Sequence, residues 1–197
     1  MKEFRVIAFT HRNTPLDQVG RYHIDDDIKL SRLSYLKQEL ELKELVYLST
    51  CNRVEFVFLS ESELNNQFLL KFFKAFNPDW HASDIEKAMQ QAQLFSGNDA
   101  VSHVFHVAAS LDSLVVGERE ILTQVRTSFE GCIREKLAGD TMRILLRKVV
   151  ESSKDVYTKT DISKNPVSVV SLAYRQLRNL NVNKDARILI VGAGQTN

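Results

Sequence analysis

Cys51 stands in a polar run, Thr50, Cys51, Asn52, Arg53, between two apolar stretches, VYLS and VEFVFLS. The thiolate is the nucleophilic form of cysteine, and a free thiol with a pKa of about 8.5 is only a few per cent ionised at neutral pH. A nearby cation raises that fraction, so Arg53 can supply the field or hold an acidic substrate by a bidentate contact. The plain alternative is a small buried cysteine at a hairpin end with a surface arginine beside it. Cys132 falls three residues after Phe129 on the apolar face of a helix, where packing is its expected role. The two cysteines share no spacing that suggests a disulfide framework or a zinc site.

His103 and His106 are three apart and occupy neighbouring helical positions, a spacing open to acid–base chemistry or to plain packing. No carboxylate or cysteine accompanies them at ligand spacing, so no metal is expected. At the other end of the chain, GAGQT after ILIV resembles the first half of a dinucleotide-binding turn, in which glycines let the backbone approach a pyrophosphate. A tight turn after any buried strand reads the same way.

The elements that must position these residues follow from periodicity. EFRVIAFT is expected to be a strand, followed by a helix from about 26 to 42 with Ile28, Leu33, Leu36 and Leu40 inward. VYLS and VEFVFLS form two strands around the Cys51 turn, and helices follow near 63–76 and 83–93. This order predicts a small antiparallel α+β sheet covered on one side by helices, of the ferredoxin-like βαβ type. A helical subdomain comes next: a helix capped by Asn98 or Asp99, another carrying Ile121, Val125, Phe129 and Ile133 to near Gly139, and one over 140–158. A linker helix from Pro166 leads to ARILIVGAGQTN, the first strand of a Rossmann-like domain. A buried strand left without neighbours implies a truncated chain.

The chain has 197 residues, 44% hydrophobic and 26% charged, which excludes a disordered polyelectrolyte. It shows neither an apolar run of membrane-spanning length nor a signal peptide, so a cytoplasmic, membrane-free protein is expected. The net charge of +1 conceals an asymmetry. Residues 1–133 hold 14 Lys/Arg and 19 Asp/Glu, a net −5, while residues 134–197 hold 12 and 6, a net +6. Arg143, Arg147, Lys148, Lys154 and Lys159 could face phosphates or line a solvated helix.

STCNRVEF, and about 50 residues later HVFHVAASLDSLVVGEREILTQVR, resemble the glutamyl-tRNA reductase family very closely. The resemblance extends to Thr10 and His11, to SKNPVSVVSLAY and to ILIVGAGQT. It implies a catalytic glutamyl-tRNA-binding domain over 1–160, with a sheet part to about 95 and a helical part from 96. Residues 161–197 would then be the linker helix, first strand and Gly-rich turn of a truncated NADPH domain.

The implied chemistry is attack by Cys51 on the ester of glutamyl-tRNA(Glu), giving a thioester that NADPH reduces to glutamate-1-semialdehyde for tetrapyrrole (porphyrin, haem) biosynthesis. Thr50, Asn52, Arg53, Ser113, Glu118, Arg119, Glu120 and Gln124 match substrate-contact positions. His103 matches a histidine important for activity, in proton transfer or in orienting the ester. Gly192, Ala193, Gly194, Gln195, Thr196 and Asn197 match the start of the NADPH site. A homodimer and an aminomutase partner are implied as well. The chain departs from the family pattern at Ser110 and Thr123, where glycines are usual, and at Arg119 and Glu120. Two other readings remain: a tRNA-binding or protein-docking module with a structural Cys51, and a nicotinamide dehydrogenase acting on a free small molecule.

Overall fold

The computed structural model describes residues 1–113, 116–163 and 176–179. Four strands form one antiparallel sheet: β1 (Phe4–Thr10), β2 (Glu44–Ser49), β3 (Arg53–Leu59) and β4 (Gln93–Ser96), in the order β2-β3-β1-β4. Helices α1 (Leu16–Val19) and α2 (Asp26–Glu39) connect β1 to β2, while α3 (Asn66–Phe76) and α4 (Ala82–Gln91) connect β3 to β4. This is the predicted ferredoxin-like α+β arrangement. A helical part follows: α5 (Asn98–Ala108), α6 (Glu120–Arg134) and α7 (Asp140–Lys159).

Both faces of the sheet are covered, not one. Every residue of β1 and β3 is buried, because these inner strands are sandwiched between two helical layers. On one face Phe9 stacks on Tyr22 with ring centroids 3.5 Å apart, and Phe56 and Phe58 meet Phe72 of α3. On the other, α6 packs on β2 and α5 on β1 and β4. One continuous apolar cluster therefore joins the sheet to the later helices.

The helix ends differ from expectation for a single reason. α2 stops at Glu39 and α6 at Arg134 because Glu41 and Lys136 take left-handed φ values of 52° and 59°. The amides of Leu42 and Leu137 then bond back to the carbonyls of Lys37 and Cys132, both at 2.9 Å. The reversals bury Leu42, Leu137 and Ala138, so the apolar pattern continues after the helix has ended. Ile28 is exposed, whereas Leu33, Leu36 and Leu40 are core. Helix α5 starts after Gly97 (φ 62°) rather than at an Asn98 or Asp99 cap. β4 is four half-exposed residues directly after a helix, too short to show a period. The Pro166 helix lies outside the described residues apart from a helical stretch at 176–179, and the ILIVGAG strand lies wholly outside them. No helix among the described residues is long and apolar enough to cross a membrane.

The start of α7 is closed by a residue from the sheet edge. Glu44 accepts backbone N–H bonds from Gly139 (2.7 Å), Met142 (3.0 Å) and Thr141 (3.1 Å). Burial opposes its charge, yet these donors hold its pKa below 4.5. Glu44→Ala is expected to cost about 1–2 kcal/mol in urea unfolding at pH 7 by orphaning the helix donors. Because the folded pKa is depressed, the stabilisation is present above pH 4.5 and fades as pH falls below it. The gap between variant and wild type should therefore narrow in acid.

Candidate active site

β2 and β3 are joined by a tight turn in which the Thr50 amide donates to the Arg53 carbonyl at 2.9 Å. Thr50 Oγ1 accepts from the Asn52 amide at 3.3 Å, an interaction that shapes the turn from within. Cys51 sits at the tip, free and exposed, while Cys132 is buried and its thiol is pushed upward by burial. A packing role is thus right for Cys132 and excluded for Cys51.

Directly below the turn the strand carries two charges into the protein. Arg53 and Glu55 alternate onto the same face of β3, at 2% and 1% relative exposure. Arg53 Nη1 lies 2.6 Å from Glu55 Oε1 and 3.5 Å from Asp112 Oδ2, and Nη2 donates to the Asp112 carbonyl. Glu55 also faces His103 of α5, with Nε2 to Oε1 at 3.1 Å. That pair is close but poorly aligned, and Nε2 makes no well-formed hydrogen bond. The His103 ring lies flat on Phe95, 4.1 Å between centroids. Burial pushes the Glu55 carboxyl up, but His103 and Arg53 outweigh it and hold the pKa down at about 2. Asp112 is gripped from outside by Arg12 at 2.7 Å. Beside this network opens a cleft of about 560 Å³ whose lining includes Arg12, Phe95, Ser102, His103, His106 and Asp112.

The structure therefore joins Thr50, Cys51, Asn52 and Arg53 to His103 through Glu55, and to the loop bearing Ser113 through Asp112. The remaining predicted contacts are held by the helical part. Tyr157 of α7 donates to the Glu118 carbonyl at 3.2 Å and lies under the Arg119 guanidinium, 5.7 Å from ring centre to Cζ. Glu120 opens α6 and accepts from Gln124 at 3.3 Å. Gly192, Ala193, Gly194, Gln195, Thr196 and Asn197 lie outside the described residues.

The departures have visible surroundings. Ser110 is fully buried with φ at 58°, the conformation glycine adopts most cheaply. Its Oγ and carbonyl both accept from the Gly117 amide, at 3.1 and 3.3 Å, so the hydroxyl offsets the strain. Thr123 is exposed on α6. The basic run on α7 is partly self-neutralised: Arg143, Lys148 and Lys159 pair with Asp140, Glu151 and Asp155. Arg147 and Lys154 have no ion pair among the described residues.

Sequence reading missed Glu55, Asp112 and Arg12. A signal existed for the first of them. Two charges spaced i and i+2 in an otherwise apolar strand point to one buried face, where each needs a partner.

Comparison with known proteins accords with this architecture. Residues 7–160 match the family model described as Glutamyl-tRNAGlu reductase, N-terminal domain. Glutamyl-tRNA reductases of Bacillus pumilus (32% identity over 194 residues) and Listeria monocytogenes serotype 4b strain F2365 (34% over 190) each match 96% of this chain. The chain spans 41% and 43% of their lengths. The solved glutamyl-tRNA reductase of Methanopyrus kandleri superposes with a TM-score of 0.69 at 23% identity, covering 91% of this chain and 40% of that one, which establishes a common fold. By its matched domain and by these relatives, the chain belongs to the glutamyl-tRNA reductase family.

Proposed function

We propose that residues 1–160 form the domain that binds glutamyl-tRNA(Glu) and that Cys51 takes the glutamyl group from it. The observation that carries this reading is the exposed thiol at the tip of a turn whose base is pinned by the buried Arg53–Glu55–Asp112 network. Sγ attacks the ester carbonyl carbon, a C–S bond forms, the C–O bond to the terminal ribose breaks, and the ribose oxygen leaves with a proton. One difficult acyl transfer becomes two easier steps through a thioester. Thr50, Asn52, Ser113, Glu118, Arg119, Glu120 and Gln124 are the proposed substrate contacts. The guanidinium of Arg53 is committed to Glu55 and Asp112, so its part is to hold the turn. His103, buried against Phe95 and Glu55, orients that network.

NADPH, when bound in the complete enzyme, supplies the hydride that converts the thioester to glutamate-1-semialdehyde, the first committed step of tetrapyrrole synthesis by the five-carbon route. No step is assigned to Gly192–Asn197. A cytoplasmic homodimer passing the semialdehyde to an aminomutase completes the proposal.

The test is intact-mass spectrometry after brief mixing with glutamyl-tRNA in the absence of NADPH, with Cys51→Ser beside the wild type. One glutamyl adduct on the wild type alone, together with loss of glutamate from the tRNA, is the expected result. Equal deacylation by both proteins would sink the nucleophile assignment and favour a tRNA-binding module.

A further inference from the structure

His11 follows Thr10, the last residue of β1, whose partner across the sheet is Arg53. The ladder ends at that pair: the chain turns after Thr10, with the Asn13 and Thr14 amides bonding back to its carbonyl, so His11 leaves the sheet at the same end as the turn that carries Cys51. The ring is half-buried, and its Nδ1 is shielded from solvent with no hydrogen-bond partner. Buried polar atoms are nearly always paired, and an orphan beside a reactive turn calls for a role. The charged groups that face it are Arg12 from its own segment, Arg53 from β3 and Asp112 from the loop after α5. Burial first, and then the two guanidinium groups, lower its pKa below 6.5 against the opposing pull of Asp112. The ring is therefore neutral at pH 7 and keeps a lone pair free. His103 offers no such freedom, since it is stacked on Phe95 with Nε2 facing a carboxylate.

We propose that His11 is the proton carrier of the acyl transfer. Its ring takes the proton of the Cys51 thiol as Sγ bonds to the ester carbonyl carbon, and returns that proton to the ribose oxygen as the C–O bond breaks. No redox partner is needed, and the ring ends neutral as it began. The inference rests on Cys51 being the nucleophile, and its test separates the two claims.

Single-turnover acylation by glutamyl-tRNA without NADPH is followed by intact mass for wild type, Cys51→Ser, His11→Asn and His11→Ala, with a thermal melt of each. Positioned proton transfer contributes about 10²–10⁴-fold. His11→Asn should therefore acylate about a hundredfold more slowly while still forming the adduct, and imidazole should restore part of the rate to His11→Ala. Carbethoxylation of His11 in the folded wild type, mapped by mass, should block acylation equally and needs no variant to fold. Adduct formation by His11→Asn, or by carbethoxylated protein, within about threefold of the wild-type rate overturns the role of His11 and leaves Cys51 standing. No adduct on the wild type overturns both.

Discussion

Replacing Glu55 by Leu will cost the fold about 3 kcal/mol at pH 7, because it takes the nearer carboxylate from a buried guanidinium and leaves it only Asp112, 3.5 Å away. The wild-type carboxylate, 1% exposed, lies between Arg53 at 2.6 Å and His103 at 3.1 Å. The cost comes from a buried cation left under-compensated more than from lost attraction. Replacing Arg53 by Met in the same chain should therefore recover part of it. The pH dependence follows from the depressed folded pKa of about 2. The contribution of Glu55 is fully present above its ordinary pKa of 4.5 and is lost as pH falls from there toward 2. Urea unfolding of wild type and Glu55→Leu should thus differ by a constant amount between pH 7 and pH 5 and converge in acid. A gap that stays the same down to pH 2 would refute the ion-pair account.

Gly117→Ala is the second large effect. Gly117 has φ at 90°, and a Cβ there would lie 2.4 Å from the carbonyl oxygen of Ile162. The obstacle is backbone, so no rotamer change relieves it. A left-handed conformation costs a side-chain-bearing residue about 1–3 kcal/mol, and displacing the segment around Ile162 adds to that. The expected loss is about 3 kcal/mol, a fall in melting midpoint of roughly 6–12 °C for a chain of this size. The Gly117 amide is also the donor to Ser110, so the loop bearing Ser113, Glu118 and Arg119 should loosen with it. Faster amide hydrogen exchange at Gly117 and its neighbours would report that. A variant melting within 2 °C of wild type would mean the contact yields without cost.

The Cys51 turn was legible in the sequence because a polar tetrapeptide between two apolar runs has few other readings. Arg53 was not. Its type and place suggested a cation facing the thiol, an acidic substrate or solvent, and only the tertiary fold reveals Asp112 from 59 positions away as its partner and His103 of α5 on the far side of Glu55. Strand β4 escaped because four residues carry no measurable period beside a helix ending at Gln91. The stops of α2 and α6 escaped because Glu41 and Lys136 adopt a conformation usually signalled by glycine. The two-sided cover of the sheet could have been inferred from β3, where apolar side chains point both ways.

The cap on α7 makes the beginning of that helix a long-range event. Glu44 and Gly139 are separated by 95 positions, and the Lys37 ammonium and Leu45 amide both reach the Leu137 carbonyl just before the helix, at 2.8 and 3.0 Å. Closing a loop of that length is entropically unfavourable and rewarded only once the sheet edge exists. The cap on the first turn of α7 therefore forms only once the edge of the β2–β3 hairpin is in place, and the strand that precedes the Cys51 turn also secures the start of α7.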